Sequence, residues 1–420
     1  KISKSKVVLN LGIVYLNMRK YNDSLKHLEE ALLIFRKQKD TANEEECLIS
    51  LSRVYSRMGN SRKLLETGNQ PLNLSKKTGN QNIHEYASGF IGIANNNLGE
   101  VQKAIDSLSE AYELSQKLND KSGECIWVGN LGICLNKLGD TNKSIELYNH
   151  AINLARELKN KSGEAQWTGN VGIAYNKIGD LENAKKYYFS ALKIAEELKD
   201  SLNEGRWLGN IGNLYSSLED YPKAKEYYEK ALEKAKKAGD KNNEGIILGN
   251  LGIICGHLQQ SEKAVGYLEK ALAFASESGD KLNKGVWLGN LGSFYSNLGD
   301  ERKALKFTSQ ALEISREVSD KFNESIWLAN LGTSYSNLGD QKQALIFTKE
   351  ALEIAKELGD WINFGICLGN QGIYHGKLGD EKGAITYYEQ ALNIALDTED
   401  KKAEGKWLGY LGTSYSNLGN

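Results

Sequence analysis

The stretch Trp287-Leu288-Gly289-Asn290-Leu291-Gly292-Ser293-Phe294-Tyr295-Ser296-Asn297-Leu298-Gly299-Asp300 decides the fold. Trp287, Leu288, Leu291, Phe294, Tyr295 and Leu298 recur at the spacing that lays apolar side chains along one stripe of an α-helix. Gly299 then suits a left-handed helix end, and Asp300 suits the N-cap of a second helix. That second helix carries its own stripe, Ala304, Leu305, Thr308, Ala311, Leu312 and Ile314, with alanines small enough to bring helices close together. The unit is therefore an antiparallel helical hairpin.

Working outward, the pattern repeats every forty residues without insertion or deletion. Gly12, Gly92, Gly132, Gly172, Gly212, Gly252, Gly292, Gly332, Gly372 and Gly412 share one column, broken by Ser52. Ala31, Ala111, Ala151, Ala191, Ala231, Ala271, Ala311, Ala351 and Ala391 share another, broken by Pro71. Trp127, Trp167, Trp207, Trp287, Trp327 and Trp407 form a third, giving way to Ile247 and Cys367. The spacing predicts an all-α solenoid over 1–420, with units 1–40, 41–80, 81–120, 121–160, 161–200, 201–240, 241–280, 281–320, 321–360 and 361–400 and a half unit 401–420. Unit 41–80 is degenerate: Pro71 inside its second helix removes a backbone donor, so a kink or break is expected there. Pro222 falls at a helix start, where proline is tolerated.

Composition narrows the function. The balance of 53 Lys+Arg against 54 Asp+Glu argues against a protein that grips nucleic acid or an anionic membrane. No apolar run is long enough for a spanning helix or a signal peptide, and a cytoplasmic location is expected. Cys47, Cys125, Cys134, Cys255 and Cys367 are scattered without CxxC spacing, so they read as reduced core thiols rather than disulfide or zinc ligands. The chain begins at Lys1 and ends at Asn420 after a first helix without its partner, which predicts a piece of a longer protein.

The run Leu-Gly-x-x-Tyr, Leu-Gly-Asp, Lys-Ala and Ala-Leu resembles the tetratricopeptide repeat. With its forty-residue period and the block Gly289-Asn290-Leu291-Gly292, it is similar to the longer repeats of the Pins/LGN polarity adaptors and, more distantly, to kinesin light chains. Similar arrays form the sensing arms of STAND NTPases in antiviral defence and of caspase-like peptidases. The resemblance implies a right-handed superhelix whose concave groove, lined by each first helix, holds a peptide or protein.

A partner must meet the side of the first helix away from its apolar stripe, which carries Gly285, Val286, Gly289, Ser293 and Ser296. The same slots hold Ile126, Ile246, Ile326 and Ile366, and Ile133, Ile173, Ile253 and Ile373, isoleucines where charge was to be expected. Gly129, Gly169, Gly209, Gly249, Gly289, Gly369 and Gly409 interleave with them, each costing about 0.5–1 kcal/mol relative to alanine in a helix. Two readings stand: the glycines let neighbouring helices pack closely, or they leave room for a partner. On the flank run Asn130, Asn170, Asn210, Asn250, Asn290, Asn330 and Asn370, whose amides suit hydrogen bonding to a peptide backbone or bonding within the solenoid. The column Lys137, Lys177, His257, Asn297, Asn337 and Lys377 has no consistent charge. The carboxylate clamp of some tetratricopeptide domains lacks its basic residue where Gly129, Gly169 and Gly209 stand.

No catalytic constellation emerges. The five histidines lie in different units, and Cys255 and His257 point to different helix faces. No GxxxxGK[ST] occurs. Glu164, Glu204, Glu244 and Glu404 sit early in first helices, where the dipole favours negative charge. The expectation is a non-enzymatic protein-binding scaffold acting through repeats four to ten, without cofactor or metal. A ligand-sensing arm of a larger STAND NTPase or protease, and a structural spacer, are the alternatives.

Overall fold

Reversals of chain direction follow one local rule. A residue with positive φ closes a helix and the next side chain caps the following one: Gly239 has φ 69°, and Asp240 accepts a hydrogen bond from the Asn243 N–H at 3.2 Å. Where glycine is missing, residues such as Lys39, Asn119 and Ser319 adopt the left-handed conformation instead. The helix ends expected from the Gly-Asp pairs are thus observed, with capping also at turns that lack the glycine.

The computed structural model describes residues 4–419. Residues 1–3 and 420, including the first and last positions on which the expectation of a longer chain rests, lie outside them. The chain forms two compact units, Lys1–Leu214 and Tyr215–Asn420. The first contains α1 (Lys4–Asn17), α2 (Tyr21–Gln38), α3 (Thr41–Arg57), α4 (Ser61–Thr78), α5 (Gln81–Asn97), α6 (Val101–Leu118), α7 (Lys121–Leu138), α8 (Thr141–Glu157), α9 (Lys161–Lys177), α10 (Leu181–Glu197) and most of α11 (Ser201–Ser217). The second contains α12 (Tyr221–Ala238), α13 (Lys241–His257), α14 (Ser261–Ser278), α15 (Lys281–Asn297), α16 (Glu301–Glu317), α17 (Lys321–Asn337), α18 (Gln341–Leu358), α19 (Trp361–Lys377), α20 (Glu381–Asp397) and α21 (Lys401–Asn417). The fold is an all-α solenoid of helical hairpins, with no strand among the described residues. No helix among them is long and apolar enough to cross a membrane.

The core is shared between hairpins, as a stack requires. One buried cluster joins Leu288 of α15, Ala311 of α16, Trp327 and Leu331 of α17, Ala351 of α18 and Cys367 of α19. Within each hairpin, the glycine of the Leu-Gly-x-x-Tyr motif lies under a second-helix side chain. A Cβ added to Gly132 would sit 2.7 Å from Tyr148 Cε1, and one on Gly372 2.6 Å from Tyr388 Cε1. In the degenerate unit Ser52 takes the first-helix position and Gly68 the second-helix one, and a Cβ on Gly68 would meet Ile91 of α5 at 3.2 Å. Ser52 and Gly68 are both buried.

The expected break at Pro71 does not occur, because α4 runs unbroken from Ser61 to Thr78 with Pro71 buried inside it. Proline's fixed φ is itself helical, and its lost donor removes only one bond of the ladder. Packing of α4 against α3 and α5 holds the rest in place. Pro222 stands in the first turn of α12, as expected.

Candidate partner-binding face

The glycine and tryptophan columns are two halves of one contact between successive first helices. In the first unit a Cβ on Gly129 would lie 2.5 Å from the Trp167 ring, and one on Gly169 would lie 2.2 Å from Trp207. In the second, Gly249 faces Trp287, Gly289 faces Trp327 and Gly369 faces Trp407, all at 2.1–2.3 Å. Those distances exclude any side chain unless the indole moves. At three junctions without the tryptophan the facing residue is larger: Leu9 packs with Cys47, Ile49 with Ala87, and Ala329 with Cys367. The close-packing reading therefore holds for Gly129, Gly169, Gly249, Gly289 and Gly369, whereas an added Cβ on Gly209 or Gly409 would meet nothing within 4 Å. Gly285 and Gly289 do not line an open face; both are buried, Gly285 against Ile314 and Gly289 under Trp327. Burial of a large indole offsets the helix penalty of the glycine beneath it.

What remains available on the first helices is the isoleucine and asparagine columns. In the first unit, Ile126 and Ile173 are each 37% exposed, while Ile133, Asn130, Asn170 and Asn210 are half-buried. In the second, Ile366 is 42% exposed, and Ile246, Ile253, Ile326, Ile373, Asn250, Asn290, Asn330 and Asn370 are half-buried. Three of the asparagines bond within the fold. Asn130 Nδ2 donates to the Ile126 carbonyl at 2.8 Å and Asn290 Nδ2 to that of Val286 at 3.0 Å. Asn330 Nδ2 reaches across to Ser293 Oγ in the preceding repeat, at 3.0 Å.

The lysine column has a role that spacing alone did not reveal. Lys137 Nζ donates to the Asn96 carbonyl at 3.0 Å and Lys177 Nζ to the Asn136 carbonyl. Each lysine thereby meets a carbonyl in the last turn of the preceding first helix, where the dipole favours a cation, and shares it with the N–H of Gly99 or Gly139. Lys377 Nζ donates to Ser336 Oγ at 2.8 Å. The signal in sequence is their forty-one-residue offset from the groups they meet.

Acids early in first helices follow two chemistries. Glu164 accepts from Arg156 and Lys161, both at 2.7 Å. Burial works to raise its carboxyl, but these two bonds prevail and hold it below the usual range. Glu324 repeats the arrangement with Arg316 and Lys321. Glu85, one residue further along, is fully buried and accepts from the Trp127 indole N–H at 2.8 Å. Burial pushes its carboxyl up to about 7, against the indole bond and with nearby Asp120 adding to the rise.

The cysteines among the described residues are not activated as nucleophiles. All five cysteines are buried and free, and burial pushes the Cys47 and Cys367 thiols up to about 12, far from the thiolate range. Cys255 is buried, whereas exposed His257 stacks on Tyr221 at 4.4 Å. No group of acid, histidine and cysteine side chains able to hold a metal ion occurs among the described residues.

Comparison with known proteins agrees with this architecture. The family model described as tetratricopeptide repeat matches residues 5–76, 85–157, 124–197, 163–237, 203–277 and 283–357, and a second model of the same description matches 367–398. No curated protein matches the chain. Among solved structures, it is similar to the apo form of RapI with TM-score 0.63 at 16% identity, covering 85% of this chain and 99% of that one. It is similar to the apo form of the quorum sensor NprR from B. thuringiensis with TM-score 0.58 at 15% identity, covering 83% and 98%. A Signal Transduction ATPase with Numerous Domains protein with a tetratricopeptide repeat sensor, from Pyrococcus horikoshii, matches with TM-score 0.60 at 18% identity over 82% of this chain. This chain spans 55% of that protein's length. At these identities the neighbours establish the fold, and the family models, which cover most of the sequence, establish that the chain belongs to the tetratricopeptide repeat family.

Proposed function

We propose that the chain is a non-enzymatic protein-interaction module that holds a peptide or protein against the first helices of repeats four to ten. The observation that carries this reading is the recurrence of isoleucine at solvent-accessible first-helix positions, Ile126, Ile173 and Ile366, flanked by half-buried amides. Apolar side chains recurring on successive first helices suit the anchors of an extended or helical ligand. Asparagine oxygens on the flank supply acceptors for its backbone.

A second reading is favoured by one of the structural neighbours. The Pyrococcus horikoshii protein is described as an ATPase with a tetratricopeptide repeat sensor, and this chain matches about half of it. In that reading the array is the sensing arm of a longer protein, and the same face receives the signal.

The test is selection of binders from a displayed peptide library. Peptides are enriched on the parent chain and then titrated against folded Ile326→Asp and Ile366→Asp variants, with circular dichroism verifying helicity. Loss of binding in both supports the face. Peptides that bind parent and variants equally place recognition elsewhere.

A further inference from the structure

A cavity of about 210 Å³ opens between the start of α13, the end of α14 and the start of α15, lined by Lys241, Ile246, Ala271, Phe274, Glu277 and Trp287 among others. An apolar cavity of about 150 Å³ already suffices for benzene, so this one has room for a compact organic molecule. Three features mark it, and the last two separate it from the equivalent places in other repeats.

The first is an indole N–H without an acceptor, which Trp207 and Trp327 share, here on a residue that lines a cavity. Trp287 is 4% exposed, and no hydrogen bond from its Nε1 is formed among the described residues. Gly245, which lines the cavity, stands forty-two residues before Trp287, where Cys125 stands before Trp167, and has no side chain to offer the indole. The second feature is a pair of opposite charges held apart. Lys121 bonds Glu157 at 2.5 Å and Lys281 bonds Glu317, in each case linking the start of a first helix to the end of its partner. Lys161, Lys321 and Lys401 also have acidic partners. The corresponding Lys241 and Glu277 both line the cavity and make no ion pair among the described residues. The third is an apolar wall, with Phe274 where repeats four and eight carry Leu154 and Ile314.

From these we infer that the α13–α15 cavity binds a free apolar L-amino acid, the carboxylate meeting Trp287 Nε1 and Lys241, the ammonium meeting Glu277, and the side chain lying against Phe274, Ile246 and Ala271. A ligand with one charge would leave either the lysine or the glutamate uncompensated in a partly enclosed site, whereas a zwitterion answers both. Asp280 also lines the cavity, but its carboxylate is engaged as the N-cap of α15, accepting from Asn283 N and Nδ2 at 3.1 and 2.7 Å. This site is separate in ligand class from the peptide-binding reading and does not depend on it.

The experiment is calorimetric titration of the full chain with L-leucine and L-phenylalanine, beside 4-methylpentanoate and isopentylamine, which carry one charge each. One-site binding is expected for at least one amino acid, weakened tenfold or more by Lys241→Met, by Glu277→Gln and by Trp287→Phe. Lys281→Met, which opens the closed pair of repeat eight, should leave it unchanged. Lys241 and Glu277 lie at the cavity mouth, so their variants keep the test valid should Trp287→Phe fail to fold. Absence of binding by either amino acid up to roughly 10 mM, equal affinity for a singly charged analogue, or affinities unmoved by Lys241→Met and Glu277→Gln would overturn the assignment.

Discussion

Two neighbouring junctions of the second unit solve one packing problem in opposite ways. Between repeats eight and nine, Gly289 lies beneath Trp327; between repeats nine and ten, Ala329 packs with Cys367. The residue beneath grows where the residue above shrinks, although Ala329 and Cys367 together are smaller than Gly289 and Trp327. In a close-packed interior the size of one member constrains the other. The difference teaches that a column of small residues on a solenoid's first helices is not in itself a ligand channel. Its meaning depends on what the following repeat inserts.

Breaking the large member has the largest effect. Trp327→Ala should lower stability by about 3–5 kcal/mol, the usual range for emptying a buried aromatic site, and Cys367→Ala by about 1 kcal/mol. Denaturant titration of the two variants measures the contrast. Gly289→Ala comes next, at about 1–3 kcal/mol, because its Cβ would fall 2.3 Å from the indole. Ala329→Gly should cost about 1 kcal/mol at most, mainly through helix propensity. Equal losses from Gly289→Ala and Ala329→Gly would erase the distinction between the junctions.

A smaller, pH-dependent effect sharpens the comparison at Trp127, whose indole bonds Glu85 rather than remaining unpaired. The Glu85 carboxyl is raised from its ordinary 4.5 to about 7, so the folded state binds its proton more tightly than the unfolded one. Its contribution is fully present below pH 4.5 and lost as pH rises through 7. Glu85→Gln keeps an acceptor for the indole and removes the charge. The variant's melting temperature should exceed the parent's at pH 8.5 and match it near pH 4. Glu164 and Glu324, held low by their cations, have the opposite sign and lose their contribution in acid. The smallest effect is expected from Asn290→Ala. Loss of the bond to the Val286 carbonyl is offset by alanine's better helix propensity, leaving a change within about 0.5 kcal/mol by thermal melting.

The hairpins were legible because their periodicity and their Gly-Asp boundaries are local properties of the sequence. Pro71 was misjudged because a propensity argument sees the missing donor but not the helices on either side. The glycine column stayed ambiguous for a related reason: Gly289 and Trp327 are thirty-eight residues apart, and only three-dimensional stacking joins them. Size complementarity along the chain, with Leu9 facing Cys47 and Ile49 facing Ala87, was the signal available. The asparagine column is half-buried on the first helices, and its bonds to Ile126, Val286 and Ser293 depend on rotamers that sequence does not specify. Lys241 and Glu277 carry the same residue types as Lys281 and Glu317, so nothing in the sequence marks one pair as open.

The measurement that tests the account most directly is a double-mutant cycle at the first junction. Gly289→Ala, Trp327→Cys and the double variant, which reproduces the Ala329 and Cys367 pair one repeat earlier, are compared by equilibrium denaturation. The account predicts a coupling of about 1 kcal/mol or more, with the double variant more stable than the sum of its single losses. Additivity within about 0.5 kcal/mol would contradict it and return the glycine column to the face that a ligand could occupy.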